Sequence, residues 1–526
     1  MILLYKGGFM TAKAINHNKL THAMNAWRQL LGEEQVVHNE SDLELYRKTS
    51  LPAAYHKISG CLKIKNRNQI CEVIKIARHH KIGLYPFSTG KNWGYGDKLP
   101  SSGQQILVDL SGMNQILEIN QELKYVVVEP GVTQVQLAQY LKDHHFPFIT
   151  DVTGSSPHTS LIGNILEGGF GHTAYGHREK HILGLEAVLG TGEIYRSGYG
   201  ERHIRDPYVF PEAIGPRCQH LFVQSNFGIV TKMAIALQPK PEKMCLMIAT
   251  FDPKTLNNQQ NPVKALATLK HQGVLKSIVK LSNNANVKLA NTNSWIVIGA
   301  VYGLPGCLSA LKRRVKNVLV SCNAKVNFMS PVENSFLCRV NPLLQKVGLH
   351  GVSKKISHLN ALFSLALGQP TSYYVQSLYR LFGYEEQLSI GASETIETLA
   401  KGVIWCNAVI PARGQDLISF EALVKEVLQK YHLPCSINFN LMSAQAVVAI
   451  IGIVFSKEKE SSWQNAQAAF EALQQTLNKE GYPAYRENSQ SMDFHFQQAP
   501  EYTERLKKIK SVFDPDGVIA PGRYVP

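Results

Sequence analysis

The chain has 526 residues, of which 44% are hydrophobic and 18% charged, and it carries nine cysteines and a formal net charge of +15. This length predicts two large domains or one elaborate one, since single cores stop growing near ~250–300 residues. No apolar run reaches the roughly 18–20 residues of a membrane span, and the first residues lack the pattern of a secretory signal. The cysteines form no CxxC pair, which argues against a zinc ribbon or a disulfide framework. We therefore expect a soluble, cytoplasmic protein.

The first 240 residues alternate between strand and helix patterns. In chain order we predict an amphipathic helical segment over 1–50, a strand at 61–64, a helix at 69–79, strands at 83–87, 106–110 and 125–129, a helix at 132–144, and strands at 184–189 and 228–237. Loops rich in glycine and hydroxyl residues occupy 88–96 and 150–176. The pattern predicts an α+β domain.

After Pro241 the composition shifts to Asn, Gln, Lys and Ser, and we place the start of a second domain there. We predict strands near 295–301, 403–410 and 447–455, with long helices near 416–430 and 461–479. The last 46 residues are again dense in motifs and are expected to return to the first domain. The predicted division is 1–240, 241–480 and 481–526.

The first glycine-rich loop, STGKNWGYG at 88–96, follows an apolar strand. Its backbone N–H groups, two hydroxyls and one cation lie in a tight arc, which suits a pyrophosphate. The spacing matches neither a Walker loop nor the Rossmann fingerprint. Taken alone, such a loop is equally typical of a plain turn.

A second loop, TDVTGSSPHTSLIGN followed by GGFGHTAYG, changes this balance. With STGKNWGYG, the strand GIVTKMAIALQPKP and the terminal FDPDGVIAPGR, it resembles the vanillyl-alcohol oxidase and p-cresol methylhydroxylase family of flavoproteins. The resemblance covers about 55–240 and 400–526. It implies a two-domain α+β flavoprotein with a split, PCMH-type FAD-binding domain in 1–240 and 481–526. An α+β cap, or substrate domain, in 241–480 would cover the isoalloxazine ring.

The resemblance also implies which residues contact FAD. We expect the pyrophosphate to be wrapped by the first loop, supported by the second loop, with a strand beside the adenosine and a further arginine near the C-terminus. These residues are Ser88, Thr89, Gly90, Lys91 and Asn92; Ser160, Gly163 and Asn164; Gly228, Ile229 and Val230; and Arg523.

Tyr95, Tyr485 and Arg486 match the phenol-binding group of the family. Two phenolic hydroxyls and a guanidinium donate convergent hydrogen bonds to one oxygen, which stabilises a phenolate and the quinone methide formed as hydride leaves the para carbon. The same trio suits a carboxylate or an enolate. Tyrosines packed in a core, with an arginine at the surface, are the structural alternative.

The chain departs from the family pattern at several catalytic positions. Residues 152–156 contain no carboxylate, 447–449 contain no histidine, and Asn438 stands where cresol hydroxylase has a glutamate. No tyrosine lies at the expected spacing before Trp405, so we expect FAD to be bound non-covalently. His172 is the candidate acid or base, a structural hydrogen bond being the alternative. No metal site is predicted.

Residues 241–360 contain sixteen basic and three acidic residues, a surplus that favours an acidic redox or carrier protein as partner. A solvated basic face is the alternative, and no nucleic-acid-binding motif accompanies it. Members of the family are often dimers, so a homodimer is one open oligomeric state.

We predict an FAD-dependent oxidoreductase that transfers hydride to flavin N5 from a small phenolic or otherwise oxygenated substrate, with oxygen or a protein as acceptor. Two alternatives remain. One is oxidation of a non-phenolic alcohol, sugar or hydroxy acid, or of a carrier-tethered intermediate in secondary metabolism. The other is a degenerate flavin-fold protein that binds partners through its basic face.

Overall fold

The structure, a computed structural model, describes residues 17–52, 58–202, 204–283, 294–373 and 396–526. Residues 1–16 of the expected helical segment lie outside these ranges, and its described part contains two helices with a short strand between them. The elements of the first part are α1 (His17–Leu31), β1 (Val36–Val37), α2 (Glu40–Arg47), β2 (Ile58–Lys63), α3 (Arg67–His80), β3 (Leu84–Phe87), β4 (Gln105–Asp109), β5 (Ile116–Asn120), β6 (Tyr125–Val128), α4 (Gln134–Asp143), β7 (Phe148–Ile149), α5 (Leu161–Leu166), β8 (Ile182–Leu189), β9 (Ile194–Arg196), β10 (Gly228–Ala236) and β11 (Gln238–Pro239).

Two sheets form the framework of this part. The first has the order β1-β2-β4-β3, in which β2, β4 and β3 are parallel, and the second has the antiparallel order β5-β6-β10-β8-β9. The apolar face of α3 packs on the first sheet, and Asn66 caps the helix by accepting from the backbone N–H of Gln69. Val188 and Ile229 of the second sheet join the same core, so the two sheets share one apolar contact region.

The middle of the chain forms a third sheet with helices. Its elements are β12 (Lys243–Phe251), α6 (Pro262–His271), β13 (Val279–Ser282), β14 (Trp295–Gly303), α7 (Leu308–Val320), β15 (Lys325–Met329), α8 (Pro331–Lys346), α9 (His350–Ala366), β16 (Lys401–Pro411), α10 (Gly414–Lys430), β17 (Ile437–Leu441), β18 (Ala446–Ser456) and α11 (Glu460–Lys479). The sheet is antiparallel with the order β15-β12-β14-β13-β17-β18-β16.

The two faces of this third sheet differ in chemistry. Side chains alternate along a strand, so Val279 and Leu281 enter the core under α6, α7, α10 and α11 while Lys280 faces the other way. We call that other side the inner face. On the four strands at the β13–β16 end of the sheet it carries Lys280, Trp405, Asn407, Val409, Asn438, Asn440, Val448 and Ile450, which alternate with core residues. The inner face contacts the first part of the chain, because the backbone N–H of Trp405 donates to the carbonyl of Gly94 at 3.1 Å.

The C-terminal segment contains α12 (Met492–Gln498) and α13 (Pro500–Phe513) and ends against the first sheet. Leu84 N–H donates to the Val518 carbonyl, and Ala520 N–H donates to the Leu84 carbonyl, each at 2.7 Å. The tail thus adds a bridge beside β3. These contacts support the division of the chain into 1–240, 241–480 and 481–526, which we propose. The α+β class is confirmed. No helix in the described ranges is long and apolar enough to cross a membrane.

Candidate active site

A cavity lies between the two sheets of the first part and is closed by the C-terminal segment. Its walls come from four stretches of chain, near 85–92, 159–167, 222–230 and 519–523. All twelve residues expected to contact the cofactor line it: Ser88, Thr89, Gly90, Lys91, Asn92, Ser160, Gly163, Asn164, Gly228, Ile229, Val230 and Arg523. Arg486, expected at the substrate, lines it as well. Two loops far apart in sequence therefore enclose one space.

Close backbone approach holds the two glycine-rich loops together. Ser160 N–H donates to Thr89 Oγ1 at 3.2 Å, and Ser160 Oγ accepts from Gly163 N–H at 2.9 Å to cap α5. A Cβ on Gly163 would lie 2.3 Å from Ser88 Oγ, so glycine permits the contact. Gly94 has φ +73°, and a Cβ there would lie 2.3 Å from the Trp405 ring. Small residues thus let the first loop touch both the second loop and the inner face.

Four buried polar atoms in this cavity have no hydrogen-bond partner within the described ranges. They are Thr159 Oγ1, Asn226 Oδ1, Arg486 Nε and Arg523 Nε. Buried polar groups are normally satisfied, so such a group of donors and acceptors indicates a polar ligand. A flavin dinucleotide, with its phosphates, ribityl hydroxyls and ring carbonyls, offers both kinds of partner. The residues present therefore fit FAD.

A carboxylate that the sequence reasoning missed organises the end of the cavity. Glu167 Oε2 accepts from Arg523 Nη2 at 2.6 Å, Tyr524 OH at 2.9 Å and Asn92 Nδ2 at 3.2 Å, and lies 3.5 Å from Arg486 Nη2. Burial acts to raise the pKa of Glu167, but the guanidinium groups of Arg523 and Arg486 and the Tyr524 hydroxyl outweigh it and hold the pKa below its ordinary value. Two cations against one anion leave a positive charge at the cavity wall. The only sequence signal was an acidic residue inside the glycine-rich run NILEGG.

The structure brings together Tyr95, Tyr485 and Arg486, the three residues that the family resemblance implies for the phenol. The Arg486 guanidinium lies 4.2 Å from the centre of the Tyr95 ring. Asn407, on the inner face, accepts from the backbone N–H groups of Tyr485 at 3.1 Å and Arg486 at 3.3 Å, and its amide donates to the Arg486 carbonyl at 2.8 Å. Asn407 therefore fixes the pair, and nothing in its sequence context marked it.

The Tyr95 hydroxyl is buried and makes no hydrogen bond of good geometry within the described chain. Burial, with a smaller contribution from the neighbouring Tyr485, raises the pKa of Tyr95 well above its ordinary value. Tyr95 consequently stays protonated at physiological pH and keeps an O–H to donate.

His172 lies in the loop 168–176, outside the walls of the FAD cavity. Its ring meets Phe170 edge-on at 6.4 Å, and Phe170 lies 6.2 Å from the Tyr485 ring, so one aromatic side chain separates His172 from the tyrosine. Burial first, and then the charges of Lys280 and Arg178, lower the pKa of His172 well below its ordinary value. The imidazole is therefore neutral near pH 7.

Lys91 takes a different role from the expected phosphate contact. Lys91 lines the cavity, but its side-chain ammonium donates to both carboxylate oxygens of Glu397 at 2.9 Å. Trp93 Nε1 donates to the same carboxylate at 3.0 Å. This carboxylate thus ties the first loop to the segment before β16.

The comparisons with known proteins agree with this geometry. A family model described as FAD binding domain matches residues 59–198. The 1'-carboxy-chondrochloren decarboxylase of Chondromyces crocatus is 28% identical over 97% of this chain and 98% of its own. The 4-cresol dehydrogenase (hydroxylating) flavoprotein subunit of Pseudomonas putida is 26% identical over 97% of this chain and 96% of its own. The solved 4-ethylphenol oxidase from Gulosibacter chungangensis, an isoeugenol complex, has a TM-score of 0.83 and 22% identity, with 98% of each chain covered. The family resemblance and the FAD cofactor are confirmed.

A Gly94→Ala substitution tests the loop contact. The added methyl meets the Trp405 ring at a positive φ, so we expect overpacking of about 1–3 kcal/mol, a lower melting temperature and less bound FAD. FAD is measured in the supernatant after acid precipitation. Gly351→Ala, where no atom lies within 4 Å of the new methyl, is the control and should match the parent. Equal FAD content in both variants would contradict the role of this contact.

Glu487, next to Arg486, provides a test by pH. Burial raises the pKa of its carboxyl from 4.5 to about 7, against hydrogen bonds from Ser491 and Gln474. Folding thus favours the protonated carboxyl. Its contribution to the free energy of unfolding is complete below pH 4.5 and is lost as the pH rises through about 7, a change on the order of 3 kcal/mol. Glu487→Gln should therefore melt at a higher temperature than the parent at pH 8 and at the same temperature near pH 4.5.

The control for this pH test is Glu471→Gln, the same substitution at an exposed position. A Glu487→Gln variant that melts with the parent at both pH values would show that the carboxyl is not destabilised by burial.

Proposed function

We propose that this chain, an FAD-dependent oxidoreductase that resembles the vanillyl-alcohol oxidase and p-cresol methylhydroxylase family, removes a hydride from a phenolic substrate. The observation that carries the proposal is the convergence of Tyr95, Tyr485 and Arg486 beside the cavity that fits FAD. An oxygen placed between the two hydroxyls and the guanidinium would receive hydrogen bonds from all three.

FAD, when bound, supplies a hydride acceptor at N5. The residues proposed to hold it are the twelve cavity residues named above, Lys91 through its backbone because its ammonium binds Glu397. The positive charge left beside Glu167 and the Nε groups of Arg486 and Arg523 are additional donors. The protein fixes the loop geometry through Ser160 and Gly163, and the C-terminal segment, which bonds to β3, forms one wall of the cavity.

The proposed task of the tyrosines and Arg486 is to stabilise negative charge on the substrate oxygen. Tyr95 stays protonated because its pKa is raised, so it donates rather than accepts. Arg486 is buried and charged, and a charge-assisted hydrogen bond in a water-poor site is stronger than one in water. A phenolate held in this way pushes electron density to the para position, from which the hydride leaves.

We retain His172 as the proposed acid or base. Its lowered pKa keeps the imidazole neutral near pH 7, so it would hold a proton only transiently during the reaction. Phe170 stands between it and Tyr485, so a proton exchanged with the phenolic oxygen would pass through water or substrate. Asn438, on the inner face, has an amide near the position that the resemblance gives to a glutamate of cresol hydroxylase, and an amide neither gains nor loses a proton in this range.

We also propose that FAD is bound without a covalent bond, because residues 447–449 contain no histidine and no tyrosine stands at the expected spacing before Trp405. Acid precipitation of the parent protein, followed by measurement of flavin in the supernatant and the pellet, tests whether FAD is covalently bound. Flavin in the supernatant supports the proposal, and flavin retained in the pellet contradicts it.

Tyr95→Phe and Tyr485→Phe test the phenol site. Each substitution removes one donor to the developing anion, so the rate of anaerobic flavin bleaching by 4-ethylphenol should fall about 10²–10³-fold with FAD content unchanged. Tyr482→Phe is the matched control, because Tyr482 lies in the same GYPAYR motif but packs on Phe420 at 5.3 Å. Bleaching of the parent by polyols or 2-hydroxy acids alone would contradict the phenolic substrate and favour the alternative oxidation.

A second candidate reaction ends in loss of CO2, and the name of the Chondromyces crocatus relative favours it. A 4-hydroxyphenyl substrate with a carboxylate two carbons from the ring loses a hydride from its benzylic carbon to give a quinone methide. The electron pair of the carbon–carboxylate bond then forms an alkene and restores the aromatic phenolate as CO2 leaves. One CO2 per flavin reduced would identify this reaction, and none would exclude it.

For the partner, we propose an acidic redox or carrier protein that docks on the basic surface of α7. Arg313 and Lys316 are exposed on this helix, whereas Lys280 of the same basic stretch faces inward and Lys288 lies outside the described residues. The Pseudomonas putida relative is named as a flavoprotein subunit, which supports a protein partner for this chain. Surface charges of this kind mainly raise the rate of encounter.

An Arg313→Glu and Lys316→Glu double variant tests the basic surface. With an acidic ferredoxin as probe, electron transfer from the reduced protein should slow about tenfold at low ionic strength, and the difference should vanish near ~0.5 M salt, where charges are screened within a few ångströms. Arg505→Glu with Lys508→Glu, exposed on α13, is the control of equal charge change. Equal slowing by both double variants would contradict a specific docking surface.

A further inference from the structure

Lys280 is a partly buried cation on the inner face of the third sheet. Its neighbours in sequence, Val279 and Leu281, are in the apolar core, which fixes Lys280 on the opposite side. Its partner across the ladder is Asn440, and Asn440 pairs in turn with Val448. The inner face is the one whose far strand, β16, holds Tyr485 and Arg486 through Asn407.

The register sets the distance between Lys280 and the phenol site. Lys280, Asn440, Val448 and Val409 form one row across β13, β17, β18 and β16. Three strand spacings of ~4.8 Å put about 14 Å between the backbones of the first and last strands. Asn407 lies two residues from Val409 on the same face. On this backbone spacing, a substrate bound at the Tyr485–Arg486 pair would need a side chain beyond its phenol ring to approach Lys280.

The surroundings of Lys280 suit an anion. Its charge and that of Arg178 both depress the pKa of His172, so Lys280 lies in one region with a neutral imidazole and with the Arg178–Asp151 ion pair, whose N–O distance is 2.7 Å. Burial lowers the pKa of Lys280 to about 8, which leaves the ammonium about tenfold in excess over the free amine at pH 7. Asn438 and Asn440 add amides on the same face. In a buried site the attraction of such a charge for an anion is stronger than at the surface.

We propose that the substrate carries a carboxylate at the end away from its phenolic oxygen and that Lys280 binds this carboxylate. This inference rests on the phenolic site of the proposed function and specifies its substrate class as 4-hydroxyphenyl compounds with an acidic side chain. It holds whether the carboxylate is retained or lost as CO2, since both outcomes require it to be positioned.

The test compares 3-(4-hydroxyphenyl)propionate with its methyl ester, which has the same skeleton without the charge. The parent protein should have the lower KM for the acid. Lys280→Met should raise that KM about 10–100-fold, the ratio given by loss of a charge-assisted hydrogen bond, and leave the KM and kcat for the ester within twofold. Lys280→Arg, which keeps the cation, should retain part of the preference.

The outcomes separate this inference from the proposed function. Turnover of the ester by both the parent and Lys280→Met shows that the phenolic site works, and an acid preference lost in that variant supports Lys280. Equal KM values for acid and ester in the parent would overturn the carboxylate site while leaving the phenol oxidation intact. An equal fall of kcat for both substrates in Lys280→Met would also overturn it, since that pattern indicates proton transfer or a structural role. Bleaching by neither substrate would overturn the phenolic site itself, and the carboxylate site with it.

Discussion

The arrangement of the cavity depends on one shared carboxylate. Glu167 receives donors from the first glycine-rich loop, from the segment before α12 and from the C-terminal tail, through Asn92, Arg486, Arg523 and Tyr524. A buried carboxylate is stable only with such compensation, and a buried guanidinium has the same requirement. The three segments therefore hold one another in place, and the Tyr485–Arg486 pair is positioned by the same ion network that closes the FAD cavity.

The second constraint is the two-residue period of a strand. Across β13, β17 and β16, core residues such as Phe439 and Cys406 alternate with Asn438, Asn440 and Asn407 on the inner face. One face of the third sheet therefore packs in the apolar core, and the other presents polar side chains toward the proposed substrate region. A shift of register by one residue would exchange the two sides, so the apolar core under α10 and α11 also fixes the orientation of Lys280.

The sequence predicted those parts of the site that lie in local motifs. The residues of the two glycine-rich loops, which line one cavity, could be predicted because each loop is a run of adjacent glycine and hydroxyl residues. The strands of the first part could be predicted because they are strongly apolar. Glu167, Asn407 and Lys280 were missed for a common reason, since each acts through a partner more than seventy residues away or across a sheet. Lys280 illustrates this best: in the sequence it is one of sixteen basic residues in a charged stretch, and only the strand register separates it from the exposed Arg313 and Lys316.

The family resemblance implies carboxylates within 152–156 and at 438, and this chain has none there. Their absence alters the charge of the substrate region as well as its proton chemistry. A glutamate at position 438 would place a negative charge on the inner face two residues from Asn440, the partner of Lys280, and would attract the ammonium or neutralise it. With an amide there and His172 neutral, the described cations near the site are Lys280, Arg178 and Arg486; Arg178 is paired with Asp151 at 2.7 Å, and Arg486 shares Glu167 with Arg523. On the proposals made above, Arg486 would face the phenolic oxygen and Lys280 the carboxylate of the bound molecule. Stabilising a phenolate directly reduces the need for a strong base to remove its proton, so the amide at 438 and the neutral His172 are compatible with the proposed phenol site.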